Sequence, residues 1–185
     1  MLPNRKYYFL KESYLTIIPK MAYGVGTSLI DGELAAFLES TVLIMVATRD
    51  AAFRSTISRS AGARLHDGGS LIDVFIAGTQ WPDTADNLEV GVPIAITFSR
   101  ASDYRTYQIK GIVESVQPVD AAECAYTAHY LEALKALLED LGITRSQSEC
   151  VFAGADYMRV RLRPKDVFAQ TPGPGAGQRL SQVPQ

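Results

Sequence analysis

The sequence is poor in the residue types that most often carry catalysis or bind metals. It has two cysteines and two histidines in 185 residues. Cys124 and Cys150 form no CxxC pair and stand in no Cys/His cluster, so no metal site is expected. Two isolated thiols fit a reducing compartment, and a cytoplasmic protein is expected. Neither sign of charge dominates. Eighteen basic against twenty acidic residues leave a formal charge of −2. That balance excludes a chain held to nucleic acid by bulk charge, and no nucleic-acid partner is expected. Long apolar runs are absent too. No stretch approaches the roughly 18 apolar residues of a membrane span, so no membrane partner is expected. In residues 1–28 Glu12 and Pro19 interrupt any signal-peptide core. Missing as well are the GxSxG elbow, the phosphate-binding P-loop, the GxGxxG fingerprint and the HExxH zinc motif.

What is present is a chain of ordinary globular composition, 47% hydrophobic and 21% charged. Its length suits one domain with a real core. Residues 1–28 read as an aromatic N-terminal extension, with Tyr7, Tyr8, Phe9 and Tyr14 as anchors for its own barrel or a neighbouring subunit. Residues 29–171 read as the folded domain. Residues 172–185, rich in Pro, Gly, Gln and Ser, read as a disordered tail.

Within the domain, Asp31 is placed to cap a short helix whose Leu34, Phe37 and Leu38 share one face. Residues 41–49 form a β-branched apolar run too short for a helix, and 52–60 read as its antiparallel partner. Residues 62–70 read as a loop, on the signal of Gly68 and Gly69. A third strand is expected over 70–78, a short helix from Pro82, a fourth strand over 92–100 and a fifth over 104–117. Gly111 marks a bulge or bend in the fifth. Asp120 and Glu123 make a capping box for the longest helix, with Tyr130, Leu134, Leu137, Leu138 and Leu141 as its stripe. Residues 157–165 alternate Met158, Val160 and Leu162 with Arg159, Arg161 and Arg163, a strand with one wet face. The sum is a mainly β α+β domain, an antiparallel barrel with short flanking helices and one longer helix.

The most informative polar segment is Arg54-Ser55-Thr56-Ile57-Ser58-Arg59. Two guanidiniums and three hydroxyls suit an anion, since Arg grips phosphate with paired donors. A spacing of five puts the arginines on opposite faces of an ideal strand, so each would serve a different part of a ligand unless the strand bends. The alternative is an edge strand carrying solvated charge. His66, His129 and Cys124 have no visible partners and read as surface or packing residues. Trp81, beside Pro82, either stacks on a planar ligand or plugs the barrel end.

Together these elements resemble the pyridoxamine 5′-phosphate oxidase-like, FMN-binding split-barrel superfamily. The residues that carry the resemblance are VLIMVATRD, RSTISR, IDVFIAG, DNLEVGVPIAITF and YQIKGIVESV, in that order, between about Leu29 and Thr171. The resemblance implies a split barrel that forms a homodimer with FMN at the subunit interface. It places Arg54 to Arg59, with Ile76 and Ala77 at the end of the third strand, against the cofactor. It implies a flavin-dependent oxidoreductase without naming the substrate. Two departures matter. Asp83-Thr84-Ala85-Asp86 stands where the oxidases carry a basic pair, and no Arg-x-His sequence follows on the arginine-rich strand. Oxidation of vitamin B6 is therefore not expected. A non-enzymatic flavin or haem carrier and a cofactor-free interaction protein stay open beside the oxidoreductase.

Overall fold

The computed structural model describes residues 29–182, so the aromatic extension 1–28 lies outside the described residues. The chain runs α1 (Gly32–Leu38), β1 (Leu43–Arg49), β2 (Ser55–Arg59), β3 (Ala63–His66), β4 (Leu71–Ala77), α2 (Pro82–Asp86), β5 (Pro93–Ser99) and β6 (Thr106–Pro118). It continues with α3 (Ala121–Asp140), α4 (Arg145–Val151), β7 (Tyr157–Ala169) and β8 (Arg179–Gln182). Every strand pairing is antiparallel, in the order β2-β1-β5-β6-β7-β4-β3, with β8 added to β7.

The sheet closes because β2 and β3 are two halves of one bent strand. Ser60 N–H donates to Ile44 O, prolonging the pairing with β1, and the next amide, Ala61 N–H, donates to Phe75 O on β4. Counting the bent strand once, six strands form the barrel, as the sequence reading anticipates. Gly62 makes the bend possible. Its φ is +118°, and a Cβ there would lie 2.7 Å from Tyr126 Cε1. Such a backbone beside an aromatic ring admits only glycine without rearrangement.

Alternation sets the core. Ile44 and Val46 of β1, Ile94, Ile96 and Phe98 of β5, and Ile72, Val74 and Ile76 of β4 point inward and are buried. Leu34, Phe37 and Leu38 of α1 join the same cluster, as do Tyr130, Leu134 and Leu138 of α3. A second, smaller cluster joins Ala61 of the bend and Phe75 of β4 to Leu131 of α3. The Tyr130 hydroxyl ties α3 to the start of β1: it donates to Val42 O and accepts from Val42 N–H. The Asp120–Glu123 capping box starts α3 as expected. Leu141 is exposed just beyond the helix, so the buried stripe ends at Leu138, three positions earlier than its sequence suggests. At Gly111 the β6–β7 register shifts, and a Cβ there would lie 2.5 Å from Arg163 O.

Four segments depart from the sequence reading. The expected loop 62–70 contains β3, because Ala63 and Leu65 alternate with Arg64 and His66 and find register partners on β4. The strand expected over 52–60 starts only at Ser55, because Phe53 has a left-handed backbone with φ 64°. Helix α4 was not anticipated; a capping box of Thr144 and Gln147 starts it. The tail expected to be disordered turns back on itself. Gly177 N–H and Ala169 N–H bond Ala169 O and Gln178 O respectively, and β8 pairs with β7. Gly173 and Gly177, both at positive φ, permit that reversal. Among the described residues no helix is long and apolar enough to cross a membrane.

Candidate functional site

The β1–β2 turn is organised by one side chain. Asp50 Oδ1 accepts from Ala52 N–H and Arg54 N–H, each at 2.9 Å. Asp50 Oδ2 accepts from Arg54 Nε at 2.7 Å. The Arg54 amide, then its guanidinium, hold the Asp50 carboxyl below the usual carboxylate range. Phe53 is carried at the tip, 75% exposed. The Arg49 guanidinium lies 4.1 Å from its ring centroid.

Below the turn is a knot of uncharged donors. Thr48 and Thr56 face each other in the hairpin register, with their hydroxyls 2.9 Å apart. Asn87 Nδ2 donates to both, at 3.3 and 3.2 Å, and Thr84 Oγ1 donates to Thr56 Oγ1 at 3.4 Å. These bonds seat α2 on the hairpin. Pro82 occupies the first turn of α2, where its missing N–H costs nothing. Thr84 turns inward and is buried, which leaves Asp83 and Asp86 exposed.

Between hairpin and helix lies a cleft of about 420 Å³ lined by Asp50, Arg54, Thr56, Asp83, Asp86 and Asn87. A second cleft of about 410 Å³ shares Asp50, Asp86 and Asn87 and continues past Arg49 and Glu89 to Pro93. Three carboxylates face one guanidinium in the first cleft. The arrangement can hydrogen-bond a polyol or a ring edge, and among the described residues it offers an anion only Arg54.

The residues singled out in the sequence separate. Thr56 and Arg54 line the cleft. Ser55 and Ile57 are exposed and Arg59 is half-buried, all on the outer face of β2. Ser58 points inward, is 1% exposed, and its hydroxyl has no hydrogen-bond partner among the described residues. Arg54 and Arg59 do not converge. Ile76 is fully buried in the core, and Ala77 is buried against Gly154; neither lines the cleft. Thr48, Thr84, Asn87 and Asp50 were not singled out. The hairpin register, which sets Thr48 opposite Thr56, brings Thr48 forward, the turn brings Asp50, and the docking of α2 brings Thr84 and Asn87.

Beside the cleft, the sheet presents a band of modest side chains. Met45 and Ala47 of β1, and Ala95 and Thr97 of β5, alternate with the core residues and are half-buried. Ala47 pairs with both Ile57 and Ala95, so the band runs unbroken across three strands. Ile57 is 64% exposed.

The arginines of β7 and His66 are committed elsewhere. Arg161 grips Asp73 with two bonds of 2.7 Å, Arg159 Nη1 donates to Glu123 at 2.7 Å, and Arg163 Nε donates to Glu114 at 2.7 Å. The wet face of β7 is thus a set of ion pairs. His66 is not a bare surface residue: its Nε2 lies 2.8 Å from Asp73 Oδ2. Cys124 and Cys150 are free and exposed. Among the described residues no His, Cys, Asp and Glu group could hold a metal ion.

The closed barrel and its strand order define the class: this is a split-barrel protein. No family model matches the chain, and no curated protein matches it. Solved structures do. It is similar to HupZ of Group A Streptococcus, with 20% identity over 80% of this chain and 99% of that one, at a TM-score of 0.48. It is also similar to a candidate pyridoxamine 5′-phosphate oxidase of Lactobacillus delbrueckii, with 14% identity over 77% of this chain and 97% of that one, at a TM-score of 0.48. The assignment of the fold rests on the strand order and register of the chain itself.

Proposed function

We propose that the chain is an FMN-binding split-barrel protein, a flavin-dependent oxidoreductase that acts as a homodimer with the cofactor at the subunit interface. One observation carries the reading: a cleft furnished with hydroxyl, amide and guanidinium groups opens beside a sheet face of small and apolar side chains that the described residues leave half-exposed. A flat ring system packs on a surface like the Met45–Ala47–Ala95–Thr97 band, where three side chains are small and the fourth, Met45, is apolar and adaptable. Thr56 and Asn87 line the cleft and supply hydrogen bonds to polar groups of the ligand. Arg54 supplies the positive charge within it, and Arg59, on the outer face, makes no ion pair among the described residues. The same band, with Ile57, is the surface a second copy would cover. Bound flavin supplies the redox chemistry, and the chain's residues position it and exclude water. That division of labour accounts for a site without an acid–base constellation.

A second reading has its own observation. Asp50, Asp83 and Asp86 crowd the cleft and oppose a phosphate dianion. A non-enzymatic carrier of a flavin or another planar ligand is the corresponding alternative.

Protein purified without added cofactor should show flavin absorbance near 370 and 450 nm at about one equivalent per chain, and should elute as a dimer. Oxidation of reduced nicotinamide by the yellow protein selects the oxidoreductase; yellow protein inert to it selects the carrier. A colourless monomer that takes up no added flavin contradicts both.

A further inference from the structure

We infer that Asp50 is the specificity-determining residue of the cleft: it holds Arg54 as an internal counter-ion that a ligand's phosphate must displace. The inference rests on the flavin reading above and goes beyond it by naming what sets the preference between phosphorylated and unphosphorylated flavin.

The geometry is specific to Asp50. Of the three carboxylates lining the cleft it alone touches the guanidinium, through Oδ2 at 2.7 Å from Arg54 Nε. Among the described residues neither Asp83 nor Asp86 forms an ion pair. The hold is prearranged, because Oδ1 of the same carboxylate is anchored by two turn amides. Among the described residues Arg54 is the one cation in the lining of this cleft. A phosphate therefore meets, among the described residues of the lining, three negative charges and no cation that is not already paired. Its attraction to Arg54 is offset by the loss of the Asp50 pair. A neutral polyol such as the ribityl chain loses nothing by the same arrangement, since Thr56 and Asn87 stay available to it. Selectivity is then the difference between two affinities, and Asp50 acts on only one of them.

The pair is also easily exchanged. The Arg54 side chain is 82% exposed, so the pair is weak in water and screened by salt. The effect of removing the charge is accordingly modest: about five- to tenfold in affinity, largest at low ionic strength.

The test is a titration of the full chain with riboflavin and with FMN at low and high salt, for the native protein and for Asp50→Asn. The asparagine keeps an oxygen to accept from the Ala52 and Arg54 amides, while it removes the charge and puts an NH2 group in place of the oxygen that accepts from Arg54 Nε. The native chain should bind the two flavins within about threefold of each other. Asp50→Asn should bind FMN about five- to tenfold tighter, leave riboflavin unchanged, and lose the gain at high salt or when Arg54→Gln is added. A native preference for FMN above about a hundredfold overturns the inference while leaving the flavin reading intact. So does an Asp50→Asn variant that changes both flavins equally, since that would make Asp50 a turn-shaping residue only. Binding of neither flavin to the native chain removes the flavin reading and the inference with it. Circular dichroism spectra of the variants that match the native chain confirm that the comparison is between folded proteins.

Discussion

Substituting Asp73 by Asn tests how the helix-covered side of the barrel is held. The Asp73 side chain is 3% exposed and accepts two Arg161 bonds at 2.7 Å and the His66 bond at 2.8 Å. Burial alone would raise its carboxyl; Arg161 and then His66 outweigh burial and hold it below the ordinary value. An Asn offers one acceptor in place of two and leaves the Arg161 guanidinium without its counter-charge. Removing one partner of a buried pair costs about 3–5 kcal/mol, and the partial exposure of Arg161 moves the expectation below that range, to about 2–3 kcal/mol. The pH dependence has a definite sign. A carboxyl depressed in the folded state contributes its full stability above the unfolded value of about 3.9, and loses it as pH falls through the lower folded value. Urea unfolding from pH 7 down to pH 2 should therefore show the native chain losing stability below about pH 4, with Asp73→Asn less stable at neutral pH and its acid-side decline shallower. A variant within about 0.5 kcal/mol of the native chain at pH 7, with the same acid slope, would refute the argument.

Three further substitutions probe separate parts of the structure. Tyr130→Phe removes the hydroxyl that satisfies both Val42 N–H and Val42 O, and should cost about 2–4 kcal/mol in chemical unfolding; a loss below about 1 kcal/mol would mean that water replaces it. Gly111→Ala sets a Cβ against the Arg163 carbonyl on the paired strand and should lower the melting temperature by several degrees, about 2–3 kcal/mol of strain; an unchanged melt would show that the bulge yields. Asn87→Ala cuts both bonds from α2 to the Thr48–Thr56 pair and should weaken flavin binding about tenfold with a stability loss near 1 kcal/mol; unchanged affinity would move the ligand away from this cleft.

Much of the barrel is legible in the sequence, for identifiable reasons. Strands β1 and β5 carry β-branched residues with inward alternation, and α1 and α3 announce themselves through Asp31 and the Asp120–Glu123 box. What escapes has little local signal. Strand β3 is four residues long and runs directly into the Asp67–Gly69 turn, so the turn chemistry hides it. Helix α4, Arg-Ser-Gln-Ser-Glu-Cys-Val, has no apolar stripe and betrays itself only by Thr144 and Gln147. Strand β8 follows a Pro/Gly segment whose composition suggests disorder, and only pairing with β7 fixes it. The site divides likewise. Thr56 and Arg54 are legible as polar residues of a short strand. Thr48 belongs to β1 and Thr84 and Asn87 to α2 and its C-terminal cap, and they meet only when α2 docks on the hairpin. Arg54 and Arg59 read as equivalent in sequence, yet the turn around Asp50 commits the first to a carboxylate and places the second on the outer sheet face.

The most direct measurement of the central claim is an equilibrium titration of the full chain with FMN, followed by Trp81 fluorescence. Trp81 immediately precedes α2 and is partly buried, so a flavin seated between α2 and the hairpin should quench it. Saturable quenching at micromolar concentrations or below, weakened by Asn87→Ala, is the predicted result. No saturation at millimolar FMN or riboflavin would contradict the account and leave the barrel without its proposed ligand.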